Sequence, residues 1–271
     1  MEIKYVDAHC HMQFADYAAD GDALVARMKD EGVAGIVVGV DLDSSRAALA
    51  LAEKHEHVFA AVGLHPNRVD DETFDADAFR ELAAHPRVVG IGECGLDFFR
   101  PTDVTDAVKE KQKELLQKHI ELAAAADKPL IIHCRPSKGT MDAYEDLIGI
   151  LTEAKAASGA AVRGDIHFFV GGVSEAEALS ALGFTVSFTA VITFARDYDA
   201  VIRSVPLTNI LAETDAPYVA PASRRGTRND PLAVVEVVRR IAEVRGEDEE
   251  AVRTALAANA VRLFSMPIAP R

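Results

Sequence analysis

Five of the nine histidines follow short apolar runs: His9 and His11 in YVDAHCH, His65 in VGLHP, His133 in LIIHCR and His167 in DIHFFVG. Two carboxylates are placed the same way, Glu93 in VGIGECGLDF and Asp215 in ILAETDAPY. Imidazole nitrogens and carboxylate oxygens are ligands of divalent metals. Scattered, they would mean little. At the C-terminal ends of the strands of one parallel barrel they converge on a single rim, where such barrels carry their chemistry.

An H-x-H pair is a weak signal by itself, and the chain supplies a control. His55 and His57 also form H-x-H, but they lie at a helix C-terminus before a strand, on the opposite face of the barrel. The helix dipole favours histidine there without any metal. His85 and His119 fall before a strand and within a helix, and read as structural or solvated. His9 and His11, two apart on a strand, share a side at the barrel mouth. The plain alternative is a pair of hydrogen-bonded core histidines; company on the rim favours metal. Cys10, Cys94 and Cys134 each neighbour such a residue and should face the helix layer as small apolar groups. Buried carboxylates need partners, and for Glu93 the choice is a metal or a salt bridge to Arg100 or Arg135. Glu213 shares the face of Asp215 and either orients a ligand from behind or forms a core salt bridge. His65, before Pro66, is expected to contact substrate, or else to close its loop.

The elements that must position these residues can be read from the pattern. Val- and Ile-rich runs of strand length occupy Ile3–Asp7, Gly35–Val40, Val58–Gly63, Val88–Gly92, Leu130–His133, Val162–His167, Phe184–Phe188 and Asn209–Thr214. Helical patterns lie between them. Asp22–Glu31 presents Leu24, Val25 and Met28, and Asp106–Ala126 presents Leu115, Leu116, Ile120 and Ala123. Ser174 is a candidate N-cap for Glu175–Leu182 with Glu177 three residues on. Asp230-Pro231 starts a helix, and a last one runs near Asp248–Phe264. Alternating strands and helices imply an α/β fold of parallel βα units. Eight units predict a (β/α)8 TIM barrel, one domain over residues 1–271, with the two final helices packed on it. An open dinucleotide-binding sheet would need a glycine-rich first turn; here that turn reads AHCHMQF.

The chain has 271 residues, 49% of them hydrophobic, and a formal net charge of −14 from 29 basic and 43 acidic side chains. That balance argues against a broad basic face gripping nucleic acid. An anionic substrate would have to be drawn locally, by metal ions or a few arginines. Three cysteines with no CxxC point to a reducing compartment. The N-terminus opens as a strand without signal-peptide features, and no apolar run reaches membrane-spanning length. The expectation is a cytoplasmic protein without a membrane partner and with no stable protein partner evident.

Taken together the motifs resemble the TatD family of metal-dependent deoxyribonucleases, among the amidohydrolase-like barrels. The likeness covers nearly the whole chain: D-A-H-C-H at 7–11, G-L-H-P at 63–66, G-E-C-G-L-D-F at 92–98, K-P-L-I-I-H-C-R at 128–135, E-T-D-A-P-Y at 213–218, R-N-D-P at 228–231 and N-A-V-R-L-F at 259–264. The resemblance implies a centre of two divalent ions. His9, His11, Glu93 and Asp215 would serve one ion and Glu93, His133 and His167 the other, with Glu93 bridging. It implies hydrolysis of DNA phosphodiesters, often as a 3′→5′ exonuclease; the family's activities also include removal of D-amino acids from tRNA. Two departures flank the pocket: Cys134-Arg135-Pro136, where the family usually has a small residue, Arg and an acid, and Phe168-Phe169-Val170-Gly171, where it often has C-F-S-G. They bear on substrate preference more than on metal binding.

The expected chemistry is two-metal phosphodiester hydrolysis at single-stranded DNA ends, with a water acidified to a pKa of roughly 7. Asp215 is the candidate general base, and Glu93 the shared carboxylate of the centre. Arg135, Arg224, Arg225 and Arg228 are candidates to hold flanking phosphates, or else ordinary surface charge. The ligand types suit Mg²⁺, Mn²⁺ or Zn²⁺. The rival enzymatic reading is another hydrolase of this barrel class, acting on a D-aminoacyl-tRNA, a lactone or a cyclic amide. Many such barrels bridge their metals with a carboxylated lysine on the fourth strand, and this chain has Glu93 there and no lysine in Val88–Asp97. A non-catalytic binding protein is the other rival, and a degenerate enzyme should have lost ligands that this chain keeps.

Overall fold

Eight strands form one parallel sheet in the order β1 to β8. They are β1 (Tyr5–Cys10), β2 (Val33–Val38), β3 (Val58–Val62), β4 (Val88–Asp97), β5 (Leu130–Arg135), β6 (Gly164–His167), β7 (Thr185–Phe188) and β8 (Ile210–Ala212). Nine helices accompany them among the described residues: α1 (Gly21–Glu31), α2 (Leu42–Lys54), α3 (Ala76–Ala83), α4 (Asp106–Ala126), α5 (Asp142–Ser158), α6 (Val173–Ala181), α7 (Asp199–Ser204), α8 (Val234–Arg245) and α9 (Glu249–Leu263). This computed structural model describes residues 2–100 and 104–270. Beyond the short β8 the chain crosses to β1. The Asp215 amide donates to His9 O at 2.9 Å and the His11 amide to Ala216 O at 2.7 Å. The result is a nearly closed TIM barrel.

Two apolar layers hold it. Outside the barrel, Val33, Val37, Val62, Ile132 and Ile166 meet helix residues such as Met28, Leu116 and Leu147. Inside it, Val6, Ala8, Ile36, Phe59, Ala61, Val89 and Ile131 pack with Ala257 and Ala260 of α9 and with Phe264 at its C-terminal cap. The last helix therefore does more than pack on the barrel: it plugs the N-terminal end. Burying a side chain the size of Phe264 is worth about 1.5–3 kcal/mol. With that end filled largely by hydrocarbon, the ligand-type side chains gather at the other.

The elements differ from the sequence pattern at their ends. β1 and β4 run further than expected, to Cys10 and Asp97, while β8 stops at Ala212, so Glu213, Thr214 and Asp215 lie past the last strand. Helix α6 begins at Val173, with Gly172 as its N-cap. The Gly172 amide donates to Glu175 Oε2 at 2.8 Å, and Ser174 Oγ donates to Glu175 Oε1 at 2.9 Å. The capping residue is therefore Gly172 rather than Ser174, and the answering glutamate Glu175 rather than Glu177. Asp230 does cap its helix, accepting from the Leu232 amide at 3.0 Å, but the first turn, Pro231–Ala233, is a 3₁₀ turn.

Candidate metal centre and its cleft

Strict alternation from Val6 and Ala8, which face the barrel interior, would turn His9 outward. The β1–β2 register shifts between Asp7 and Cys10, which breaks the period just before the pair. His9 and His11 then share the interior, with their Nε2 atoms 3.2 Å apart. Strand β4 does the same: its register against β5 shifts between Ile91 and Cys94, and Glu93 enters the centre. Gly92 and Gly95 on either side take φ values of 152° and 133°. A Cβ at either would strike a β5 carbonyl, that of Ile131 or of His133, so the G-E-C-G spelling is a requirement of close strand approach.

Glu93 is the hub. Its Oε2 lies 3.5 Å from His9 Nε2 and 3.7 Å from His11 Nε2. Its Oε1 lies 3.0 Å from His167 Nε2, 3.2 Å from His133 Nδ1 and 3.3 Å from His65 Nε2. The salt bridge to Arg100 or Arg135 that the sequence left open is not formed; among the described residues every ion-pair partner of Glu93 is a histidine. Asp215 Oδ1 approaches His11 Nε2 to 3.5 Å and His9 Nε2 to 3.8 Å. Asp215 is in left-handed backbone at φ 51°, held there by its bond to His9 O.

The electrostatics follow from this crowding. Burial works to raise the Glu93 carboxyl, but His65, His167 and His133 outweigh it and hold it well below the usual carboxylate range. Burial also opposes ionisation of Asp215; the hydrogen bond from His11 and the charges of His167 and His9 leave it lowered. Burial pushes His9 and His65 down. All three cysteine sulfurs are buried, and burial raises their thiols, as the outward-facing reading expects.

The donor set suits cations. His11 Nδ1 lies 2.8 Å from Val38 O, and a carbonyl only accepts. A neutral His11 therefore turns a lone pair, not a proton, toward two carboxylates. Three groups have ligand atoms within 4.8 Å of one another: His9–His11–Glu93, His9–His167–Asp215 and His65–Glu93–His133. The six ligand positions expected from sequence thus lie together. His65, expected to touch substrate, lies within ligand distance as well.

Behind these residues stands a layer that the sequence reading left partly unseen. Glu213, fully buried, accepts from the Phe168 amide at 2.6 Å and lies 3.5 Å from His167 Nδ1. Asp7 accepts from Thr214 Oγ1 at 2.6 Å and from the Thr214 amide at 2.9 Å, tying β1 to the segment after β8. Asp97, overlooked in the sequence, lies 3.1 Å from His133 Nε2. The available signal was its even spacing from Glu93, which puts both on one strand face. The control histidines are elsewhere: His57 Nε2 meets Val25 O at 3.1 Å, and His119 Nε2 accepts from the Leu64 amide at 3.0 Å.

A cleft of about 600 Å³ opens over the centre. Its walls include Phe14, Phe168, Val170, Tyr198 and Tyr218, with Arg68, Arg100 and Arg135 at the polar side. Of the four arginines offered for phosphates, Arg135 alone lines it, its guanidinium 4.1 Å from the Phe99 ring centre. Arg224 pairs with Asp230 at 2.7 Å and Arg228 with Asp20 at 2.6 Å. Arg225 lies over Phe194 at 3.9 Å.

Residues 6–265 match the family model described as TatD related DNase. The chain belongs to that family. A Bacillus subtilis relative, the metal-dependent hydrolase YabD, is 35% identical over 262 residues, covering 95% of this chain and 98% of its own. A relative from Erwinia billingiae named 3′-5′ ssDNA/RNA exonuclease TatD is 31% identical over 271 residues, covering 96% and 99%. The crystal structure of the TatD homologue YjjV from Escherichia coli K12 superposes with a TM-score of 0.84 at 29% identity, covering 98% of this chain and all of that one. This TatD-family chain is a metal-dependent hydrolase.

Proposed function

We propose that the chain hydrolyses phosphodiester bonds at single-stranded DNA ends, as a 3′→5′ exonuclease using two divalent ions. The observation that carries the two-ion reading is the division of Glu93: Oε2 faces His9 and His11, while Oε1 faces His133 and His167. His9, His11, Asp215 and Glu93 would hold one ion, and Glu93, His133 and His167 the other, with Mg²⁺, Mn²⁺ or Zn²⁺ all compatible with N/O donors. Bound there, the ions supply Lewis acidity toward a phosphoryl group and acidify water. Asp215 would take the proton of the attacking water as the water oxygen bonds to phosphorus; the bond from phosphorus to the ester oxygen breaks, and Asp215 returns that proton to the departing oxygen. Glu213 orients His167 from behind. Arg135 and His65 hold the substrate's phosphoryl oxygens.

The nucleic-acid reading draws on the Erwinia relative's name and on the aromatic walls, since bases stack on aromatic rings without regard to sequence. Phe168 and Val170, two of the departures from the family pattern, line this wall and would tune which base or sugar fits; Pro136 follows Arg135 and is the third.

The test is a substrate panel: a 5′-labelled single-stranded oligonucleotide, the matched blunt duplex, closed circular duplex, a D-aminoacyl ester and a lactone. The expected order puts the single strand first, cut stepwise from its 3′ end, with circular duplex intact. Faster turnover of the aminoacyl ester or lactone would replace the nuclease reading, and rapid nicking of the circle would refute the end requirement.

A further inference from the structure

A neutral imidazole has one N–H and one lone pair, so the bond made by its outer nitrogen fixes what the inner one offers. His133 and His65 both face Glu93 Oε1, at 3.2 and 3.3 Å, and their outer bonds are opposite. His133 Nε2 lies 3.1 Å from Asp97 Oδ2. Both Asp97 oxygens accept, Oδ1 from the Phe99 and Arg100 amides and Oδ2 from Asn67 Nδ2; a carboxylate so placed only accepts. His133 therefore donates through Nε2 and turns the Nδ1 lone pair inward. His65 Nδ1 instead accepts from the Asn67 amide at 3.1 Å. Its proton is then on Nε2, and it presents N–H to the centre.

Asp97 is built for the task. It is 1% exposed, and His133 is its only ion-pair partner among the described residues. Its Oδ1 accepts from the amides of Phe99 and Arg100, both at 2.9 Å, and its Oδ2 also accepts from Asn67 Nδ2 at 3.0 Å. The buried Gln112 side chain clamps its backbone, accepting from its amide at 2.8 Å and donating to its carbonyl at 3.0 Å. Burying a carboxylate is costly unless every oxygen is satisfied; here both are, and the one imidazole it holds faces the hub of the centre.

We propose that Asp97 is a positioning residue which, with Asn67, fixes opposite tautomers on two facing imidazoles: His133 as a ligand through Nδ1, and His65 as an N–H donor kept for a phosphoryl oxygen. This rests on the two-ion reading above. It explains why a histidine at ligand distance is not a ligand: a neutral imidazole protonated on Nε2 has no lone pair there for a cation.

The test is long-range ¹H–¹⁵N spectroscopy of the zinc-loaded full chain with labelled histidine. The expected pattern is His133 coordinated at Nδ1 and protonated at Nε2, and His65 uncoordinated and protonated at Nε2. A zinc-shifted nitrogen on His65, or His133 bound through Nε2, overturns the proposal. Zinc titration of Asp97→Asn supplies the second arm. The amide nitrogen placed against His133 favours the wrong tautomer, so the second ion should bind about 10- to 100-fold more weakly with the first unchanged. Two ions bound as tightly as in the wild type overturn it. If the wild type takes up only one zinc, the two-ion reading fails by itself. The metal-free protein then decides for Asp97: His133 protonated at Nε2 supports its role, and protonation at Nδ1 refutes it.

Discussion

Asp215 carries the heaviest assignment of any single residue, as ligand and as base, and a conservative change separates the two. Asp215→Asn keeps the size and one ligand oxygen while removing the proton acceptor and a negative charge. Turnover at saturating metal and substrate should fall by about 10²-fold or more, while substrate binding survives. His55→Ala, from the H-x-H pair at the helix C-terminus, should leave turnover nearly unchanged. The measurement is rate beside metal content in each variant; near-normal turnover of a metal-loaded Asp215→Asn protein would return Asp215 to a structural role. At this scale the convergence of His9, His11, Glu93, His133, His167 and Asp215 on one place was legible, because residue type and strand-end position coincide. The sequence was not legible where a residue acts through another. Asp97 was passed over because the expected strand ended at Gly92, five residues short of the observed one. Arg224 and Arg228, offered either for phosphates or as ordinary surface charge, pair with Asp230 and Asp20 in the folded chain, partners the sequence alone does not assign.

The eight strands were legible in number and order, and five of the nine helices among the described residues as patterns, because hydrophobic period and turn chemistry are local properties; α2, α3, α5 and α7 were not read. The ends of the elements were not legible. The shifts in β1 and β4 that turn His9 and Glu93 inward are set by pairing with β2 and β5, and pairing is invisible in one strand read alone. Helix packing makes its own prediction. His119 on α4 accepts the Leu64 amide just past β3 through Nε2 and faces Leu115 O at 2.8 Å through Nδ1, so it serves only while neutral. Burial lowers it to about 4 from an ordinary 6.5. The unfolded chain thus takes up this proton first. The stabilisation is complete above pH 6.5 and is lost as pH falls toward 4, amounting to roughly 3 kcal/mol over that window. His119→Gln keeps an acceptor for Leu64 and cannot titrate. Denaturant unfolding of the two proteins between pH 7 and pH 4 should show the wild type losing its margin by that amount; a margin independent of pH would mean His119 is already charged, or solvated, in the fold.

At the scale of the molecule, the barrel is closed at one end by α9 and open at the other over a concentrated set of ligands. No helix among the described residues is long and apolar enough to cross a membrane. The chain's net charge of −14 opposes approach of a polyanion, so attraction for phosphate would have to be created locally. On the proposed two-ion reading, four positive charges would stand against the two carboxylates of Glu93 and Asp215 and would turn the floor of the cleft cationic. On that reading metal would serve twice over, for the chemistry and for drawing the substrate in. The most direct measurement is hydrolysis of a single-stranded oligonucleotide by protein dialysed against EDTA, verified metal-free, then titrated with Mn²⁺ or Mg²⁺ while bound metal is counted. The account predicts no hydrolysis in the metal-free state and a rate that rises with occupancy toward two ions per chain. Full activity in the verified metal-free protein would contradict it.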